Sequence, residues 1–102
     1  MTRTAIITGA SRGIGAEIAK RLAADGIDIV VNYASNAAAA EDVVAAIREK
    51  GGKAIAVKAD IGGEDGMAVL FDAAEAEFGT ADILVNNGGM LSLAPLATVT
   101  DE

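Results

Sequence analysis

The residues whose types and spacing point to chemistry are Thr8-Gly9-Ala10-Ser11-Arg12-Gly13-Ile14-Gly15. The glycines fall in a G-x-x-x-G-x-G pattern, after the apolar run Ala5-Ile6-Ile7 and before a segment with helical spacing. This reads as a turn from a buried strand into a helix. Lacking a β-carbon, Gly9 and Gly13 take backbone angles that other residues resist and let the chain approach a pyrophosphate closely. Gly15 lets the new helix pack tightly on its strand. The first amides of that helix, at its positive dipole end, then face phosphate. A glycine pattern also fits a tight turn that binds nothing, so its context decides.

Composition narrows the chemistry. The 102 residues include no cysteine and no histidine, which removes disulfides, thiolate and imidazole metal sites, cysteine nucleophiles and histidine bases. A net charge of −7 argues against nucleic-acid or anionic-membrane surfaces, which need clustered Lys and Arg. No apolar run approaches the ~20 residues that span a bilayer, and the N-terminus has no secretory pattern. The expectation is a cytoplasmic protein with a small anionic ligand, held by backbone amides and an arginine. Apolar residues make up 52% and aromatics 3%, so the core is one of Ala, Ile, Val and Leu, as in a parallel sheet covered on both faces.

The elements that must position the turn follow in order. Strands are expected at Thr4 to Thr8, Ile27 to Tyr33, Ala54 to Ala59 and Ile83 to Asn86. The first helix carries an apolar stripe of Ile14, Ile18 and Leu22, with Glu17 and Arg21 as an i,i+4 pair, and stops at Gly26. A second helix, capped by Ser35 or Asn36, runs to about Lys50 with Val43, Val44 and Ile47 inward. A third spans about Asp65 to Phe78, with Met67, Leu70, Phe71, Ala74 and Phe78 at a 3.6 period and Gly79 as its stop. Leu91 to Val99 read as a loop containing Pro95, and Thr100 as the cap of another helix. Four strands joined by three helices give a βαβαβαβ unit, hence an α/β doubly wound parallel sheet.

By these motifs the chain resembles the short-chain dehydrogenases/reductases. Thr8 to Gly15 is similar to that family's cofactor turn, Asp60 stands where the family places an adenine-contacting aspartate, and Asn86-Asn87-Gly88-Gly89 resembles its Asn-Asn-Ala-Gly segment, with Gly88 in place of alanine. The resemblance covers the whole chain and implies a Rossmann-like fold with strand order 3-2-1-4, the cofactor lying over the carboxyl ends of the strands. It implies that Gly9, Ser11, Arg12, Gly13, Ile14 and Gly15 line the phosphates and adenosine ribose. Asp60 and the amide of Ile61 would meet adenine, and Asn87, Gly88 and Gly89 would pass under the nicotinamide-side ribose. Asn86 is expected to brace neighbouring strands.

Which nicotinamide cofactor is a matter of charge. NAD(H) preference usually rests on an acid about 20 residues past the glycines. The end of the second strand offers Asn32, Tyr33, Ser35 and Asn36 instead; Asp28 lies at its wrong end and Asp42 inside the next helix. A carboxylate ~5 Å from a phosphate charge costs about 3 kcal/mol at an effective dielectric of ~20. Its absence, with Arg12 in the turn and Ser35 and Asn36 as donors, favours NADP(H) over NAD(H). Tyr33 is expected to pack near adenosine or to be a surface packing residue.

Family reductases use a Ser-Tyr-Lys set in which the lysine follows the tyrosine by four positions. The single tyrosine here, Tyr33, is followed at that spacing by Ala37. The expectation is therefore residues 1–102 as the N-terminal dinucleotide-binding portion of one incomplete Rossmann-type domain, inactive alone. In a longer enzyme it would serve hydride transfer between NADPH and a carbonyl or alcohol substrate, with similarity to the 3-oxoacyl-thioester reductase branch. The alternative is a non-catalytic nucleotide-binding or assembly module. An uncovered apolar edge at Ile83 to Val85 also predicts homo-oligomer formation.

Overall fold

The computed structural model describes residues 3–10, 13–63 and 65–86. The expected positions Ser11, Arg12, Asn87, Gly88 and Gly89, and the segments predicted after them, lie outside the described residues. Within them the elements are β1 (Thr4–Ile7), α1 (Gly13–Ala24), β2 (Asp28–Tyr33), α2 (Ala37–Glu49), β3 (Ala54–Lys58), α3 (Gly66–Phe78) and β4 (Ile83–Val85). Every strand pairing is parallel, and the sheet runs β3-β2-β1-β4.

Parallel pairing requires a covering helix on each face, and the strand sequences supply apolar residues to both. Ala5, Ile7, Ile29, Val31, Ile83 and Val85 point to one face, where they pack with Ala16 and Ala19 of α1 and Val43, Val44 and Ile47 of α2. Ile6, Val30 and Leu84 point to the other and meet Leu70 and Ala74 of α3. Register follows this alternation: Ile6 lies opposite Val30 on one side and Leu84 on the other. A slip by one residue would exchange the two faces. Asp82 fixes the entry of β4, accepting the Thr4 amide on Oδ2 at 2.9 Å while its own amide donates to the Thr4 carbonyl at 3.0 Å.

Two expectations for α1 change. Its buried residues are Gly15, Ala16 and Ala19, with Ile18 and Leu22 only partly covered, whereas Ile14 is 73% exposed. Small side chains bring the helix axis close to the sheet, and Ile14 is left at the open end of the helix. The carboxylate of Glu17 pairs with Lys20 at 3.8 Å rather than with Arg21.

The start of α2 is held by Asn36, whose Oδ1 accepts from the Ala39 amide at 3.0 Å. Replacing Asn36 with alanine is expected to cost about 1 kcal/mol. For a domain of this size that lowers the thermal midpoint by roughly 4–8 °C, read by circular dichroism. A midpoint unchanged within a degree would show the cap to be idle.

Candidate cofactor site

Strand order 3-2-1-4 reverses its direction of winding beside β1, so α1, leading from β1 to β2, and α3, leading from β3 to β4, lie on opposite faces of the sheet. A crevice opens at the carboxyl ends of the strands, where ligands of doubly wound sheets bind. The turn after β1 is built by glycine: Gly9 has φ +61° and Gly13 has φ +66°, both in the left-handed region that side chains resist. Gly13 opens α1, whose first turn contains no acid. The first four amides of a helix have no intrahelical acceptor, so this end suits an anion. Ile14 stands exposed beside it.

The ends of the strands are tied to one another. The Thr8 amide donates to the Val85 carbonyl at 3.1 Å, and Thr8 Oγ1 lies 3.3 Å from Asn86 Oδ1, which it reaches as a donor. Asn86 thus links the exits of β1 and β4, the bracing place expected of it. On the other side, the Ala10 amide donates to the Asn32 carbonyl at 2.9 Å and the Ala59 amide to the Tyr33 carbonyl at 3.0 Å.

Asn32 is expected among the cofactor-binding residues at the end of the second strand. It is 3% exposed, and its side chain is engaged within the protein. Its Oδ1 accepts from the Gly9 amide at 3.0 Å, and its Nδ2 donates to the Ala59 carbonyl at 3.1 Å. The cause is its strand position, because it continues the inward alternation of β2 to the very end of the sheet. The same bond engages the Gly9 amide within the protein, and the first amides of α1 suit an anion.

Beyond Asn32 the chain emerges: Tyr33 is half-buried and packs against the α1/α2 side of the core, while Ser35 and Asn36 are exposed. Next to them β3 delivers Asp60, exposed, with Oδ1 accepting from the Gly62 amide at 3.0 Å. That is an Asx turn, formed by one carboxylate oxygen of an exposed side chain. The Gly63 amide closes the same turn on the Asp60 carbonyl at 2.9 Å. Ile61 is partly covered beside it.

Gly66, which no local signal marks as functional, backs this turn. A β-carbon there would overlap the Asp60 carbonyl and come within 2.9 Å of the Ile61 Cα. The glycine at the start of α3 is thus the contact surface on which the Asp60 turn rests. Gly13, Ile14, Gly15, Tyr33, Ser35, Asn36, Asp60 and Ile61 all fall at the carboxyl edge of β1, β2 and β3, although they come from separate parts of the chain. A cavity of about 410 Å³ opens at the opposite edge, between the ends of α1 and α2, lined by Lys20, Gly26, Ile27, Ile47 and Lys53. It shares no residue with the glycine turn, and strand polarity puts it away from the helix N-termini that favour phosphate.

Among the described residues no group of three or more His, Cys, Asp or Glu is placed to hold a metal ion, and no helix is long and apolar enough to cross a membrane.

Comparison with known proteins agrees with this geometry. The family model described as short chain dehydrogenase matches residues 3–102. An uncharacterized oxidoreductase of Methylorubrum extorquens is 52% identical over 98% of this chain and 40% of its own length. Elsinochrome reductase 1 of Elsinoe fawcettii is 47% identical over 98% of this chain and 38% of its own. Among solved structures, the angucycline C-6 ketoreductase LanV with bound NADP superposes with a TM-score of 0.77 at 39% identity, covering 91% of this chain and 41% of LanV. The chain spans about 40% of the length of the curated relatives it matches.

Proposed function

The chain belongs to the short-chain dehydrogenase family, and from that premise we propose that it is the N-terminal cofactor-binding part of an NADP(H)-dependent oxidoreductase acting on a small carbonyl or alcohol. The observation that carries the reading is the acid-free end of β2 beside the open end of α1. Tyr33, Ala34, Ser35 and Asn36 put no carboxylate where an adenosine ribose would lie. The NADP bound by LanV supports the same preference at the level of relatives.

The residues present fit such a cofactor. Gly9 and Gly13, both left-handed, add no side-chain bulk of their own at the approach to α1, and the helix amides would neutralise pyrophosphate charge. Ser35 and Asn36 donate to a ribose 2′-phosphate, Arg12 supplies the charge, and Asp60 accepts from the adenine amine. By the family resemblance Asn87, Gly88 and Gly89 would serve the nicotinamide-side ribose. Bound there, the cofactor supplies hydride. The single tyrosine, Tyr33, lies on the adenosine side of this site, away from where a carbonyl would need its proton. The chain by itself therefore binds cofactor and does not reduce substrate. Among the described residues β4 is an edge of the sheet, which favours assembly with further strands or copies.

NADPH is expected to bind more tightly than NADH, and Arg12→Ala to narrow the difference by about tenfold, the loss of one charge-assisted hydrogen bond to phosphate. Titrations of both cofactors against the unmodified and variant proteins check this. Equal affinities before mutation would overturn the NADP(H) preference.

A further inference from the structure

We infer that Asn32 is a positioning residue that sets the phosphate turn and the adenine turn of the cofactor site relative to each other; the inference rests on the cofactor reading above. Asn32 is the last inward residue of β2, between the exits of β1 and β3. Its carbonyl accepts from Ala10 at 2.9 Å and its Oδ1 from Gly9 at 3.0 Å, so two successive residues of the phosphate turn hang on it. In the opposite direction its Nδ2 donates to Ala59 at 3.1 Å, the residue preceding Asp60, with longer approaches of 3.4 Å to the carbonyls of Val57 and Tyr33.

Only a primary amide can do this. One end must accept from an N–H and the other must donate to carbonyls, with the two ends fixed by one planar group. A flipped amide would put Nδ2 against the Gly9 N–H and Oδ1 against the Ala59 carbonyl, so the donors themselves determine its orientation. A carboxylate of the same shape satisfies Gly9 but presents a second oxygen to Ala59, Val57 and Tyr33. An aliphatic chain removes both the acceptor that Asn32 offers the Gly9 amide and the donor that meets the buried Ala59 carbonyl. The consequence is distinct from general stability: the side chain has no need to touch a cofactor, yet it fixes the spacing between the groups expected to bind pyrophosphate and adenine. A ligand spanning both turns loses affinity when either shifts by a fraction of an ångström.

Titration of the protein with NADPH, followed by 1H–15N spectra, tests this. Asn32→Asp is expected to raise Kd about tenfold or more. Amide signals of Gly9 and Ile61 should move already in the free variant, while those of α2 and β4 hold their folded positions. A folded variant with unchanged Kd overturns the inference. So does a Kd raised only in proportion to an unfolded fraction, counted from its separate signals. Should Asn32→Asp not fold, the unmodified protein decides: its Asn32 side-chain amide protons are expected to exchange with water at least about tenfold more slowly than those of exposed Asn36, and equal exchange overturns the clamp. If the unmodified protein binds neither NADPH nor NADH, the cofactor reading fails instead, and the free-state shifts of Gly9 and Ile61 still report on the clamp.

Discussion

Replacement of Gly66 by alanine is expected to lower the thermal midpoint by about 10 °C or more and to weaken cofactor binding at the same time. The added methyl meets backbone, the Asp60 carbonyl and the Ile61 Cα, rather than the end of a flexible side chain that could swing aside. Overpacking of this kind costs typically 1–3 kcal/mol, and each kcal/mol shifts the midpoint of a domain this small by roughly 4–8 °C. Relief requires α3 to withdraw from the sheet or the Asp60 turn to move outward. The first disturbs the packing of Leu70 and Ala74 against Ile6 and Val30; the second carries Asp60 and Ile61 away from the adenine position. Calorimetry of the variant, paired with an NADPH titration, separates the two routes. A variant with unchanged midpoint and affinity would show that Gly66 is not the support of this turn.

Asn36→Asp is expected to reverse the cofactor preference without harming the fold. Aspartate caps a helix about as well as asparagine, and the Oδ1 that accepts from Ala39 is retained. What changes is one negative charge at the end of β2. At about 5 Å from a 2′-phosphate and an effective dielectric of about 20 it opposes NADPH by about 3 kcal/mol, roughly two orders of magnitude in Kd. NADH has no such phosphate, and its ribose hydroxyls gain an acceptor. Paired titrations at low and high salt check the sign, since screening should shrink the effect. Equal loss of both cofactors would place Asn36 away from the ribose and count against the assignment of this corner of the site.

Much of the fold could be read from the residues because the chemistry is local or periodic. The αL requirement at Gly9 and Gly13 needs nothing beyond the turn itself. The stripes Val43, Val44 and Ile47, and Leu70 and Ala74, obey a helical period and are buried as that period demands. Gly79 ends α3 in the left-handed conformation at φ 85°, as a helix stop should. Strand limits differ from expectation by one residue, since frayed ends carry no period. Ile14 misleads in a specific way: its spacing continues the stripe of Ile18 and Leu22, but it lies at the helix end, where none of the described strands covers it.

The amino-acid sequence by itself determined an α/β chain with a glycine turn between its first strand and helix, and polar, acid-free residues after its second strand. Those features depend on neighbours in the chain. Only the tertiary structure decided which residues act through others. Asn32 reads as one more polar residue at a strand end, and it becomes a clamp because β1 and β3 flank β2 and present Gly9 and Ala59 to its two faces. Gly66 reads as a glycine before an apolar helix, and it becomes a support because the turn from Asp60 into α3 folds closely on itself. Hydrogen bonds and close contacts between residues 23 or more positions apart, as between Gly9 and Asn32, have no period to betray them. They exist only once the parallel sheet has set the strands side by side.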